Sequence, residues 1–328
     1  QMPEASVESC FSGKFEKDFE TYLTDQFPMR DGWISAKTAI EKATFKTESK
    51  DIYFADDDYL IEAHSKSFTA PSANANIGYL KNFMETCVET YGKDHATAMV
   101  VPNAVDILRD HLPKYASPYD EEVYLQKVAD AMPEGTWFDS GSVLREHKNI
   151  QLYYRTDHHW TSLGAYYAAN ALRSSWGLPE IDKDTLTQET ISEDFCGTLY
   201  SSSGFFWIAP DEMETLIAAP EKSSVTRYET NGTEETLPLY NYDKLTIKDK
   251  YTFFLGGNIP RAVVDTGTEN APSLLILRDS YADSLVPFLT DAFSEIHLID
   301  LRYYTGSVKE YIAENAIDRV LLLYSTDN

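Results

Sequence analysis

Three apolar runs constrain this chain most: "SLLIL" at 273–277, "EIHLIDL" at 295–301 and "RVLLLY" at 319–324. A strand with one wet face alternates apolar and polar residues. A run of strand length that barely alternates is buried on both faces. Between the runs lie segments of helical spacing, such as "SVKEYIAENAI" at 307–317. Buried strands alternating with amphipathic helices predict an α/β fold, a mainly parallel sheet flanked by helices. In such sheets polar groups at the carboxyl ends of strands build the site. Asn103, Asp157 to His159, Asp279-Ser280 and Arg302 all fall at predicted strand ends.

The same rhythm starts near residue 72. "YLKNFMETCVETYG" puts Leu80, Phe83, Met84, Cys87 and Tyr91 on one helical face, with Gly92 as its stop. "TAMVVPN" reads as a strand, "DEEVYLQKVADAMP" as a helix, and "TWFDS" and "LYYRTD" as further strands. Residues 1–71 read as an N-terminal extension. In it Phe15, Phe19, Tyr22 and Leu23 have helical spacing, and "DIYFADDDYLIEA" suggests a hairpin around a solvated Asp56-Asp57-Asp58 turn. Residues 180–270 are polar and turn-rich and read as a β-rich insertion, so 1–328 is expected to be one domain with two additions.

Composition excludes more than it selects. With 53 acidic against 28 basic residues the net charge is −25, which repels nucleic acid and anionic membrane surfaces. No run of about 18 apolar residues is present. Cys10, Cys87 and Cys196 lack metal-ligand spacing, and Cys87 is expected to be a buried thiol.

Two of the seven histidines stand together in "LYYRTDHHWTSLGAYYAAN" at 152–170, beside Asp157 and ahead of a predicted helix. Serine attacks a carbonyl only when a base takes its proton, and a carboxylate must hold that base in the right tautomer. Ser280, in "LLILRDSYADSLVPFL", sits where a buried strand turns into a helix, a setting that exposes a hydroxyl and backbone N–H groups together. Asp157, His159 and Ser280 therefore fit the roles of orienting carboxylate, base and nucleophile. The plainer alternatives are a structural histidine, a helix-capping serine and a turn aspartate. Asp157, His158 and His159 are also good ligand types, but adjacent histidines on an extended segment point to opposite sides, so no metal site is expected. His64, His95, His111, His147 and His297 have no supporting pattern and read as structural.

"TDHHW", the preceding "YYR", the later "LRDSY" and "DLRYY", and "DQFPMRDGW" near the start resemble the DHHW family of bacterial proteins over most of the chain. These look like distant relatives of the alginate O-acetyltransferases, whose SGNH-hydrolase-like domains carry an Asp-Thr-His-Trp motif followed by Gly-Thr-Ser-Tyr. Motif to motif, Asp157, His159 and Ser280 take the triad places and His158 the threonine place. The resemblance implies an SGNH-like fold, no cofactor, and O-acyl transfer to, or removal from, a cell-surface polysaccharide or other acylated small molecule. It also implies an extracytoplasmic location and a membrane-bound acyl-donor partner. The alternative is a non-catalytic glycan-binding protein on the same scaffold. Asn103, Arg302 and Tyr281 are then candidates for binding the oxyanion or substrate, and His158, Trp160 and Arg155 for supporting the triad. Where those families have glycine before the nucleophile, this chain has Arg278-Asp279, whose side chains would crowd the oxyanion pocket.

Overall fold

The computed structural model describes residues 15, 29–64, 67–219 and 223–327. Phe19, Tyr22, Leu23 and Cys10 lie outside them. A small antiparallel sheet comes first, from β1 (Glu48–Ser49), β2 (Ile52–Phe54) and β3 (Leu60–Glu62). The Asp56–Asp58 turn joins β2 to β3 as the expected hairpin. Next come β4 (Ala96–Val101), then β5 (Thr187–Phe195) paired only with β6 (Asp211–Ile217). The remaining strands are β7 (Ser224–Tyr228), β8 (Glu234–Pro238), β9 (Arg261–Asp265), β10 (Leu274–Arg278), β11 (Glu295–Ile299) and β12 (Arg319–Ser325).

Seven strands form the central sheet in the order β4-β12-β10-β11-β9-β7-β8. The pairs β4–β12, β12–β10 and β10–β11 are parallel. Those from β11 through β9 and β7 to β8 are antiparallel. The expectation of a mainly parallel sheet is therefore corrected: the fold is α/β with a large mixed sheet. The burial pattern gives the reason. Every residue of β10 is buried, whereas β7 and β9 bury alternate residues, and strands with a wet face join antiparallel edges. The polar 180–270 stretch thus supplies three strands that widen the main sheet.

Both faces of the parallel half are covered. Met99, Val101, Leu274, Ile276, Leu321 and Leu323 pack on one side, with helix Ser162–Ser175 over them. Ala98, Val100, Leu275, Leu277, Val320 and Leu322 pack on the other, against helices Pro71–Tyr91 and Glu121–Ala131. Cys87 is a buried thiol on the first of these two helices. Two expected strands are absent. "TWFDS" makes a single bridge, Ala98 to Trp137, and "LYYRTD" a single bridge, Tyr153 to Trp160. Tyr153 and Tyr154 are apolar cover instead of ladder: Tyr153 donates its hydroxyl to Pro102 O at 2.6 Å, and Tyr154 packs edge-on against Phe195.

Candidate active site

Ser280 stands one residue beyond the end of β10, after Asp279, and precedes the short helix Tyr281–Leu285. Asp157 and His159 lie in a tight loop closed at its base, where Thr161 N donates to Leu152 O at 2.8 Å and Tyr154 N to His159 O at 3.2 Å. Asp211, fully buried at the start of β6, anchors this loop. Its carboxylate accepts from Thr156 N at 2.8 Å, Thr156 Oγ1 at 2.6 Å and Arg155 N at 3.0 Å. Arg155 thereby supports the loop through Asp211, and its Nη2 also donates to Pro210 O.

The loop and the turn after β10 bring three side chains into line. Asp157 Oδ1 lies 2.5 Å from His159 Nδ1 and accepts from His159 N at 3.0 Å. Asp157 Oδ2 accepts from Thr198 N at 2.7 Å and Thr198 Oγ1 at 3.0 Å. A carboxylate on Nδ1 selects the tautomer that leaves Nε2 as an acceptor. That atom lies 2.7 Å from Ser280 Oγ, which can donate its proton to it. The His159 ring stacks on Tyr251 with centroids 3.8 Å apart, which fixes its plane. Burial pushes the Asp157 carboxyl up. The charges of His159 and His158 and the hydrogen bonds from His159 and Thr198 outweigh it and hold the group well below the usual carboxylate range. Asp157 therefore stands as an anion beside the imidazole at neutral pH.

The other expected residues divide. Trp160 is fully buried beneath the turn and donates Nε1–H to Tyr281 O at 3.1 Å. Tyr281 touches the pocket but is 1% exposed, and its hydroxyl is committed to His158 O at 2.5 Å, so it holds the loop. His158 is half-buried, with Nδ1 2.7 Å from Thr198 Oγ1. Burial, then the neighbouring charge of His159, lowers its basicity. Arg302 forks onto the buried Asp300 at 2.9 and 2.7 Å and lines the pocket.

Three expectations are corrected. Asn103 does not face the serine. It is 4% exposed, donates Nδ2–H to Asp327 Oδ1 at 2.8 Å, and lies outside the pocket lining. Arg278 and Asp279 do not crowd the site. The Arg278 guanidinium turns to Asp283 and to Gly257 O, while Asp279 accepts from Tyr281 N and from Ser325 N and Oγ. The two histidines do not point apart, because the segment is a turn and not a strand. Their ring centroids are 3.9 Å apart, and with Asp157 their ligand atoms lie within 4.8 Å of one another.

A pocket of about 260 Å³ opens over Ser280 and His159, lined also by Asp249, Tyr251, Asn258 and Arg302. Asn258 follows three residues in the left-handed region: Leu255 (φ 57°), Gly256 (φ 79°) and Gly257 (φ 91°). Arg227 grips this bend through Leu255 O at 2.8 Å and Gly257 O at 3.2 Å. Arg302 Nη2 donates to Asn258 Oδ1 at 3.4 Å, which fixes the amide's orientation and leaves its NH2 for the pocket. Sequence reasoning missed Asn258, Thr198, Asp211 and Asp249. All lie in or bound the polar 180–270 stretch, where only the Gly256-Gly257 pair gave a local signal.

The DHHW protein family matches residues 58–299. No curated protein matches the chain. Among solved structures, a DHHW family protein from Eubacterium siraeum is 26% identical, with a TM-score of 0.65 over 85% of this chain and 92% of its own. Bacillus cereus PatB1 is 21% identical, with a TM-score of 0.65 over 83% of this chain and 95% of its own. It has also been solved with a sulfonyl adduct. Both relatives have the same overall fold, and the family match spans the Asp157–Trp160 motif and Ser280. The chain belongs to the DHHW protein family.

Proposed function

We propose that this protein is an extracytoplasmic serine acyltransferase or esterase acting on O-acylated carbohydrate, on an SGNH-hydrolase-like fold in which residues 180–270 are an insertion that completes the site. One observation carries the reading: the continuous Asp157–His159–Ser280 hydrogen-bond chain, 2.5 Å and 2.7 Å long at its two side-chain links, with Ser280 open to a pocket.

Ser280 Oγ attacks the acyl carbonyl and passes its proton to His159 Nε2, and Asp157 stabilises the imidazolium. Ser280 N–H and the Asn258 side-chain amide are the proposed donors to the oxyanion. The alkoxide leaves with the proton from Nε2, and the acyl group stays on Ser280. A sugar hydroxyl or water then gives its proton to Nε2 and attacks the acyl-serine; the acyl group leaves on that oxygen, and Ser280 Oγ departs with the proton returned from Nε2.

Hydrolysis of an aryl acetate tests this. Wild type should turn over, Ser280→Ala should lose all enzymatic rate, and Asn258→Ala should lose about 10²-fold or more in kcat. Equal rates for wild type and Ser280→Ala would leave the glycan-binding alternative.

A further inference from the structure

The pocket over Ser280 is one end of a longer cleft. Asp157, Thr198 and Asp249 line both this pocket and a neighbouring trough of about 270 Å³. Cys196, Ser201 and Lys248 in turn line both the trough and an open basin of about 1010 Å³. The basin alone lies at the top of the ~300–1,000 Å³ range of small-molecule sites. A cleft of this size with the serine at one end fits a chain of sugars.

The charge of the basin runs against the rest of the molecule. In a protein of net charge −25, the basin is lined by Lys50, Lys248 and Lys250 against one acid, Asp194. Lys250 is neutralised within the protein by its ion pair with Asp194. Lys50 uses one N–H on Ser202 O at 2.9 Å and keeps two. Lys248 Nζ has no partner among the described residues and stands where trough and basin meet. Asp249, the acid between trough and pocket, has its pKa raised, chiefly by burial. Tyr200 and Phe206 add aromatic surface to the basin wall.

We infer that the cleft from Ser280 to Lys50 binds an anionic polysaccharide strand, with carboxylate or phosphate groups seated on Lys248 and Lys50. This deepens the proposed function by naming its acceptor class, and rests on that reading for the role of Ser280.

Calorimetry on the full chain tests it with four probes: oligogalacturonate for carboxylate, oligo(glycerol phosphate) for phosphate, chitohexaose as a neutral strand, and acetyl-CoA as an anionic acyl donor. One or both anionic oligomers should bind, more tightly from two units to six. Binding should weaken with added salt and fall by about tenfold or more in Lys248→Glu and in the milder Lys248→Gln. Melting temperatures identify any variant that has lost its fold. Equal affinity for chitohexaose, binding of acetyl-CoA alone, or indifference to both Lys248 variants would overturn the inference. Aryl acetate turnover by wild type separates the two proposals. Turnover without oligomer binding removes the cleft and keeps the triad; oligomer binding without turnover does the reverse.

Discussion

Asp157 carries more of this site than its position in a short motif suggests. One oxygen serves His159 twice, and the other is held by Thr198 from 41 residues away in sequence. Its folded-state pKa is depressed, so its stabilisation is present above the ordinary value of 3.8 and is lost as pH falls. The stability gap between wild type and Asp157→Asn should therefore be constant above about pH 5 and begin to narrow as thermal melts move from there to pH 3. At pH 7 the same variant should lose roughly 10³-fold or more in aryl acetate turnover, because the amide no longer holds the right tautomer. Residues of this kind were legible from sequence, since Asp157, His159 and Ser280 each stand in a motif that chemistry requires. Asn258 was not: its place in the pocket depends on a bend of three left-handed residues and on Arg302, neither of which has a sequence period.

At the level of elements, helices were read well because apolar stripes report a buried face directly; the helices at 71–91 and 121–131 both lie where spacing put them. "LYYRTD" failed because burial does not imply a ladder: Tyr153 packs in the main core and Tyr154 against Phe195 without either pairing in the central sheet. The loop that replaces this strand depends on its neighbour, Gly197. A Cβ there would stand 2.2 Å from Asp157 Cβ and Oδ2. Gly197→Ala must displace one or the other, and the expected result is a loss of about 10²-fold in kcat with a stability cost of about 1–3 kcal/mol. Melting curves alongside turnover check it. A variant that loses stability but keeps turnover would separate the loop from the site.

Across the whole molecule, the site joins two segments 121 residues apart, one ending a strand of the mixed sheet and the other a loop anchored on Asp211 of β6. Sequence gave the buried parallel half through its apolar runs. It could not show that half-buried strands from the polar stretch would continue the same sheet, because alternation fixes which face is wet and not which edge is joined. Arg173 ties the two segments beneath the site. It is 1% exposed, donates Nη1–H to Phe288 O at 2.9 Å and forks onto Asp291. Arg173→Ala leaves Phe288 O and Pro179 O unpaired and opens a cavity, while the half-exposed Asp291 turns to water, and should cost about 2–4 kcal/mol by denaturant unfolding. The most direct measurement of the central claim is peptide mass spectrometry after brief exposure to an aryl acetate or a sulfonyl fluoride. The account predicts one acyl or sulfonyl group on Ser280, formed far more slowly in His159→Ala and absent from Ser280→Ala. Label confined to surface lysines, at equal levels in wild type and Ser280→Ala, would contradict it.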